Sequence, residues 1–489
     1  MTPPDWQRLS RRMLLVHPVH ELVRLAPILL ALIFLGRGDR GAIGWGAMAA
    51  AAAVVLGVIR WATTDYRVTD EQIQIRSGLL QRKTVSVRRD RVRAVDQSAR
   101  LMHRIVGLVV LTIGTGRNDA SGDDTLRLDG LTPEVAGQLR TDLLHRGDDA
   151  APATTTEEGE VELARWHPAW VRFGPLTLQG VATLGVVAAG VGQVFAVEGE
   201  DVDADDFGFL SGLADWISHE SVAVVVGGAV SAVVVIVVVL SVFGYLFAYW
   251  NFRLTRYRAG TLHITRGLLT TRATTLEERR LRGVELDEAL SLRIAKGARL
   301  TAIATGGDSG ASALLLPPAP RQAAIDTAVA VLGDEAPLRA PLRDHGPVAR
   351  RRRYTRALIP AGVVVAAGAI AGVAGDIPLA AWTIPGAALL VAAALLGADR
   401  ARNLGHTVAG GWLITQSGSI VRSRAALEHE GIIGVNLRQS FFQRRANLVT
   451  LTATTAGGSE GYTVIDVDPA AAVALVDEAV PGLLAPFRA

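Results

Sequence analysis

The sequence predicts a membrane protein of α+β class. It should have six transmembrane helices in three hairpins, each leading into a module of antiparallel strands closed by one C-terminal helix. Three observations predict this. Of 489 residues, 49% are hydrophobic and only 20% charged, with a mean hydropathy of +0.30, whereas a soluble domain carries about 25% charge. The apolar residues come in paired runs. The polar segments after each pair resemble one another at fixed offsets.

The runs are 22–36 with 41–62, 173–197 with 222–250, and 357–375 with 377–397. A stretch of about 20 apolar residues crosses some 30 Å of hydrocarbon. Residues 222–250 contain Val-Val-Ile-Val-Val-Val-Leu at 234–240, too apolar on every side for a buried helix of a soluble core. The first run is short and carries Arg24.

Arginines set the orientation. Arg8, Arg11 and Arg12 precede the first hairpin, Arg165 and Arg172 the second, and Arg350 to Arg353 with Arg356 the third. Arg253, Arg256, Arg258, Arg400 and Arg402 follow the hairpins, while the loop 198–220 holds eight Asp and Glu and no Lys or Arg. Both termini and the modules are therefore expected on the cytoplasmic side of the cell membrane. Arg37 and Arg40, in the short loop of the first hairpin, count against this. A cleaved leader is not expected, because Gly-Arg-Gly-Asp-Arg follows the first run instead of small residues.

The repeat is legible residue by residue. Ile73-Gln-Ile75-Arg-Ser-Gly78-Leu-Leu80 parallels Leu262-His-Ile264-Thr-Arg-Gly267-Leu-Leu269: an alternating strand, a glycine turn and a second strand. At an offset of 189, Arg91, Val92, Val95, Leu101 and Arg104 fall on Arg280, Leu281, Val284, Leu290 and Arg293. At an offset of 340, Gly78 falls on Gly418, and Val87, Val92, Val95, Leu101 and Arg104 fall on Leu427, Ile432, Val435, Phe441 and Arg444. Gly431 replaces Arg91 there, so the third copy is degenerate. Fixed spacing marks triplication of one unit. In the first copy, strands fit 66–70, 72–77, 79–88, 91–96, 108–115 and 124–129. A helix follows, with Thr132 as N-cap, Pro133 in its first turn, Glu134 at the positive end of its dipole, and Val135, Leu139, Leu143 and Leu144 on its apolar face. Asp468-Pro469 and Pro317-Pro318 open the equivalent helices.

A hairpin followed by such a module, three times over, resembles the bacterial membrane-flanked pleckstrin-homology-like family, in its YdbT-like form with several copies per chain. The residues that carry the resemblance are His17-Pro18 and His167-Pro168 before the hairpins, the Gly-Leu-Leu turns at Gly78 and Gly267, the Arg-Val-x-x-Val stretch at 91–95 with its repeat at 280–284, and Arg104 and Arg293. The resemblance implies two packed antiparallel sheets capped by a helix, no catalytic residues, and a smaller single-module relative as protein partner. The layout is then a hairpin at 1–62, a PH-like module at 63–146 and a linker at 147–164. A second hairpin at 165–250, a module at 251–333 and a linker at 334–349 follow. A third hairpin at 350–400 and a degenerate module at 401–489 complete the chain.

The sequence holds no cysteine, which excludes disulfides, thiolate metal sites and a cysteine nucleophile. It contains no phosphate-binding loop, and Gly114-Thr-Gly116 precedes no helix. His17 and His20 are the one close histidine pair, with Pro18 between them and no third ligand near. The acidic loop lacks the ligand spacing of a calcium loop. No enzyme, cofactor or metal is expected. Of the 50 Lys and Arg only Lys83 and Lys296 are lysines, and net charge is +3, so no nucleic-acid partner is expected. Arg350, Arg351, Arg352 and Arg353 just outside a span are candidate anionic-lipid contacts, as are Arg89, Arg91 and Arg93 on one face of a strand. Gly78, Gly267, Gly418, Arg104, Arg293 and Arg444 read as fold-setting. The function expected is a scaffold that assembles a membrane complex. The alternatives are an anionic-lipid-sensing or envelope-stress factor, and a transporter or channel component. Spans 173–197, 222–250 and 357–375 hold no ionisable residue, against the pathway a transporter needs.

Overall fold

A computed structural model describes, with short interruptions, residues 61–144, 160–177 and 221–485 and isolated positions before them. The chain forms two compact units. One comprises Met1–Glu160, Arg165–Thr255 and His263–Thr275; the other comprises Val161–Ala164, Arg256–Leu262 and Leu276–Ala489.

In the first repeat, β1 (Gln7–Arg8), β2 (Asp65–Val68), β3 (Gln72–Ser77) and β4 (Lys83–Arg88) form an antiparallel sheet in that order. β5 (Ala94–Ala99), β6 (Val109–Gly114) and β7 (Thr125–Leu131) make the second sheet, with α1 (Leu101–Val106) between β5 and β6 and α2 (Pro133–Leu144) after β7. Alternation turns Ile73 and Val87 of one sheet and Leu111, Ile113, Leu126 and Leu128 of the other into a single core. Each such buried side chain contributes about 2 kcal/mol. The helix begins as the sequence predicts, Thr132 Oγ1 accepting from Val135 N at 3.4 Å. Val135 is exposed, however, and Ala136 takes the inward place beside Leu139. The strand expected at 91–96 starts at Ala94 instead. The chain first turns a corner, Arg89 N donating to Glu71 O at 2.9 Å and Val92 N to Arg89 O at 3.3 Å.

The second repeat comprises β8 (Val161–Arg165), α3 (Val222–Tyr249), β9 (Arg253–Tyr257), β10 (Thr261–Arg266), β11 (Thr271–Glu277), β12 (Leu281–Ala289), α4 (Leu290–Ile294), β13 (Gly297–Ala304), β14 (Ala313–Pro320) and α5 (Arg321–Leu332). Pro317 and Pro318 do not open the helix as the sequence reading expected. They lie in β14, the edge strand of its sheet, beside a bulge, where a missing N–H costs no ladder bond.

The third repeat opens with α6 (Ala336–Arg339), so the stretch expected as linker is partly folded. Then come α7 (Gly346–Ala374), α8 (Ala380–Arg402), β15 (Gly405–Ala409), β16 (Trp412–Gly418), β17 (Val421–Glu428), β18 (Gly434–Arg438), α9 (Phe441–Arg445), β19 (Val449–Thr454), β20 (Gly461–Val467) and α10 (Pro469–Ala479). Asp468 caps α10 by accepting from Ala470 N at 2.9 Å and Ala471 N at 3.3 Å, as its sequence predicts.

Among the described residues three helices are long and apolar enough to cross a membrane: α3, with a mean hydropathy of 3.0, α7 at 2.2 and α8 at 1.5. Exposed Val234, Val235 and Ile236 on α3 suit lipid, not water. The expected span at 22–36 and most of those at 41–62 and 173–197 lie outside the described residues, and residues 168–173 and 175–177 form 3-10 turns. α7 and α8 pack through small residues. A Cβ on Gly372 would lie 2.4 Å from Trp382 Nε1.

The sheets run from one repeat into the next. One sheet has the order β7-β6-β5-β11-β10-β9-β8 and another the order β14-β13-β12-β17-β16-β15, leaving β18-β19-β20 as a separate three-stranded sheet. The contact between β12 and β17 is close. A Cβ on Gly283 would lie 1.9 Å from the Ala426 carbonyl oxygen, at a φ of +154°. We therefore expect Gly283→Val to separate these strands at a cost of about 3 kcal/mol. Hydrogen exchange should show faster labelling confined to β12, β17 and their flanking turns.

Two histidines meet beside the start of α7. His406 Nδ1 and His345 Nε2 share a hydrogen bond of 2.7 Å, while His345 Nδ1 bonds Ile465 O at 2.9 Å. Burial, the neighbouring imidazole and Arg343 push His406 down to about 4, Glu478 opposing; His345 is also lowered, chiefly by burial. The unfolded imidazoles titrate near 6.5, so on acidification the unfolded chain takes up protons first. Stability is intact above about pH 6.5 and lost as pH falls toward 4, by about 1.4 kcal/mol for each pH unit that separates folded from unfolded titration. Thermal unfolding at pH 7.5 and 4.5 should show this loss, and His406→Phe should flatten it.

Candidate functional site

Two structural features bring functional side chains together: the strand joints between repeats, and cavities at the feet of the spans. In the first joint, Thr271, Arg272, Ala273 and Thr274 of β11 lie opposite Ala99, Ser98, Gln97 and Asp96 of β5. In the second, β12 and β17 pair from Gly283↔Leu427 to Ala289↔Val421. The second joint is fixed by charge. Buried Glu288 lies between Arg422, 2.7 Å from Nε to Oε2, and Arg321, 2.8 Å from Nε to Oε1. Ser423 Oγ donates to Glu285 Oε1 at 2.5 Å, and burial raises this carboxyl above the usual range. Arg424 is buried and donates to Pro337 O at 3.1 Å and Ala340 O at 2.8 Å, thereby capping α6. Burial lowers its pKa to about 10, which keeps it charged at neutral pH.

The residues repeated at the Arg104 position also reach across the joints. Arg104 Nη1 donates to the Leu268 carbonyl, beside the Gly267 turn. Arg293 pairs with Asp399 at the foot of α8, 2.7 Å away, and Leu290 N donates to Ile420 O at 2.7 Å. Arg444 is exposed on α9. Gly78, Gly267 and Gly418 share φ values of 109°, 109° and 103°. A Cβ on Gly267 or Gly418 would meet a carbonyl oxygen at 2.0 or 1.9 Å, which accounts for the glycine at each turn.

At the foot of the third hairpin a cavity of about 420 Å³ is lined by Arg353, Arg356, Arg400, Leu404, Ser417, Gly418 and Ile465. A second, of about 560 Å³, lies beside the foot of α3, where Phe243 and Phe247 face Leu269, Thr270, Arg266 and Arg272. In both, the foot of a membrane helix meets the glycine turn of its module, and arginines line the space.

The arginine run before the third span divides. Arg350 pairs with Asp344 and Arg351 is exposed. Arg352, at 3.3 Å, and Arg353 turn onto fully buried Asp466, which also accepts from Gln443 Nε2 at 2.8 Å. Two of the four candidate lipid contacts are thus engaged by a carboxylate inside the third repeat. Arg89 lies at the corner after β4, Nη1 3.4 Å from Thr69 O; Arg91 and Arg93 lie outside the described residues. No sequence motif marks Asp466. The available sign was its place in the inward alternation Tyr462, Val464, Asp466. His167 is the N-cap of a 3-10 turn, Nδ1 accepting from Ala169 N at 3.1 Å. His17, His20 and the loop 198–220 lie outside the described residues. Among the described residues no group of three His, Asp or Glu could hold a metal ion.

Comparison with known proteins agrees with the triplication. The family model described as Bacterial PH domain matches residues 22–147, 209–329 and 361–478. The UPF0699 transmembrane protein YdbT of Bacillus subtilis (strain 168) is 21% identical over 277 residues, 54% of this chain and 55% of that protein. The chain thus matches about half the length of this curated relative. No solved structure matches. With three matches that cover more than half of its length, the chain belongs to the bacterial PH domain family.

Proposed function

We propose that this chain is a non-enzymatic membrane scaffold whose three modules lie on the cytoplasmic side of the cell membrane and assemble a membrane complex. The observation that supports this is the use of sheet edges as joints. Each joint adds one module's strand to another module's sheet, which is how β-augmentation captures extended segments of other proteins. Ladder bonds supply affinity and the charged pairs at Glu288 and Glu285 supply register. A smaller single-module relative would present the same kind of edge and is the partner this reading favours.

The test is a cross-linking pull-down from native membranes, with proteins and lipids identified in the same sample. The intact chain should retain a protein partner in fixed ratio. Deletion of residues 63–146, the first module, should lose it while α3, α7 and α8 remain inserted. Recovery of the same partners from intact and deleted chains would rule out the scaffold.

The third-hairpin cavity favours a second reading, recognition of an anionic lipid headgroup. Arg356 and Arg400 line it together with Arg353, whose buried Nε has no hydrogen-bond partner among the described residues. Cations at the foot of a span attract anionic lipid by about 1 kcal/mol each. On this reading, Arg356→Gln with Arg400→Gln lowers co-purified anionic lipid at least threefold and leaves protein partners unchanged. Unchanged lipid content would exclude it.

A further inference from the structure

The two internal joints obey one rule. Moved into first-repeat positions by the offsets 189 and 340, Ala99↔Thr271 becomes position 99 opposite 82, and Gly283↔Leu427 becomes 94 opposite 87. Along antiparallel strands these are the same register, since five steps back on one strand match five steps forward on the other. In both cases the third strand of a module's first sheet joins the first strand of another module's second sheet. Among the described residues the three modules make two such joints and leave one strand of each kind at an edge: β4 in the first repeat and β18 in the third.

These two edges differ in chemistry. In the joints the first strand of the second sheet carries acid, Asp96 in β5 and Glu285, Asp287 and Glu288 in β12, whereas its partner strand carries base, Arg272 in β11 and Arg422 and Arg424 in β17. β4 keeps the basic character. Exposed Lys83 begins it, exposed Arg82 precedes it, and Arg82 holds the position of Arg422, which pairs with Glu288. β18 has no acid; Arg438 and Gln439 stand where β12 has Asp287 and Glu288. On the shared register a second copy's β18 would set Arg438 opposite Lys83, and like charges directly opposite are destabilising.

Resting on the scaffold reading, we infer that the β4 edge is the docking site for a separate protein. It takes, antiparallel, an acidic strand equivalent to β12 from another module of this type, with carboxylates opposite Lys83 and Arg82. β4 pairs with β3 on one side, and among the described residues no strand pairs with the other. Open edges of this kind are usually blocked or covered; here the continuity with two existing joints and the charge pattern identify the cover.

The natural absence of cysteine allows a direct test on the full-length protein in detergent. The probe is a synthetic peptide with the sequence of residues 281–290 and cysteine in place of Leu286. On the shared register this cysteine lies opposite Thr84, and position 284 lies opposite Ser86. Thr84→Cys should cross-link to the peptide at least tenfold more than Ser86→Cys. Reversing the peptide's charges with Asp287→Lys and Glu288→Lys should lower the yield at least tenfold. Equal or absent cross-linking at both positions overturns the inference. So does efficient cross-linking between Thr84→Cys chains and Leu437→Cys chains, which would make a second copy the occupant. In native membranes, a partner that survives Arg82→Glu with Lys83→Glu overturns the edge assignment alone. Register-specific peptide capture with no protein partner in the membrane removes the scaffold reading and leaves the edge assignment standing.

Discussion

The ladder between β12 and β17 is the interaction on which the arrangement of the repeats depends. Each module has two short sheets, and an open sheet presents unpaired N–H and C=O groups along its edge. Here neighbouring repeats satisfy those groups mutually. Seven residue pairs align from Gly283↔Leu427 to Ala289↔Val421, and each backbone hydrogen bond contributes about 1 kcal/mol net. The geometry is demanding, because Gly283 brings the strands so close that any side chain there would collide with the Ala426 carbonyl. The side chains then fix alignment. Slipping by one residue would take Glu288 from Arg422 and leave a buried carboxylate short of a partner, which is costly.

Around that ladder the arginine-rich composition acquires structural meaning. Arginine presents several donors in a planar fork, and many arginines here join segments distant in sequence. Arg353 reaches Asp466, Arg293 reaches Asp399, Arg422 reaches Glu288 and Arg424 holds the carbonyls of Pro337 and Ala340. The last of these gives the folded stretch between the second and third repeats its order. These contacts lie at the feet of the spans and along the joint, where a module must be fixed to what precedes it.

The triplication, the three described spans, the glycine turns and the caps at Thr132 and Asp468 were legible in the sequence, because each depends on local spacing or on a backbone conformation that only certain residues adopt. The strand exchange between repeats was not. Alternation reports which face of a strand is buried and is silent about its edge, so nothing in the pattern of β11 or β17 names the strand beside it. The same blindness explains Pro317 and Pro318. Proline reads as a helix start or a strand edge depending on which neighbour needs its N–H, and that neighbour is chosen by tertiary structure. Arg352 and Arg353 were read as lipid-facing because their partner, Asp466, lies more than a hundred residues away in an otherwise apolar strand.

The degeneracy of the third repeat extends to its joint-forming strand, β18. A strand edge without a neighbouring strand must avoid uncontrolled association. The third copy has lost the acid that the first two place on their joint-forming strand and carries Arg438 and Gln439 in its stead. That removes the complement a basic edge would seek. The same copy keeps what its own fold needs: the left-handed turn at Gly418, the cap at Asp468 and a core joining Leu413 and Leu427 of one sheet to Leu451 and Val464 of the other. Acid is thus lost from the joint-forming strand while the fold is retained. Of the two edge strands, the basic edge of β4 is then the one at which another protein can be added.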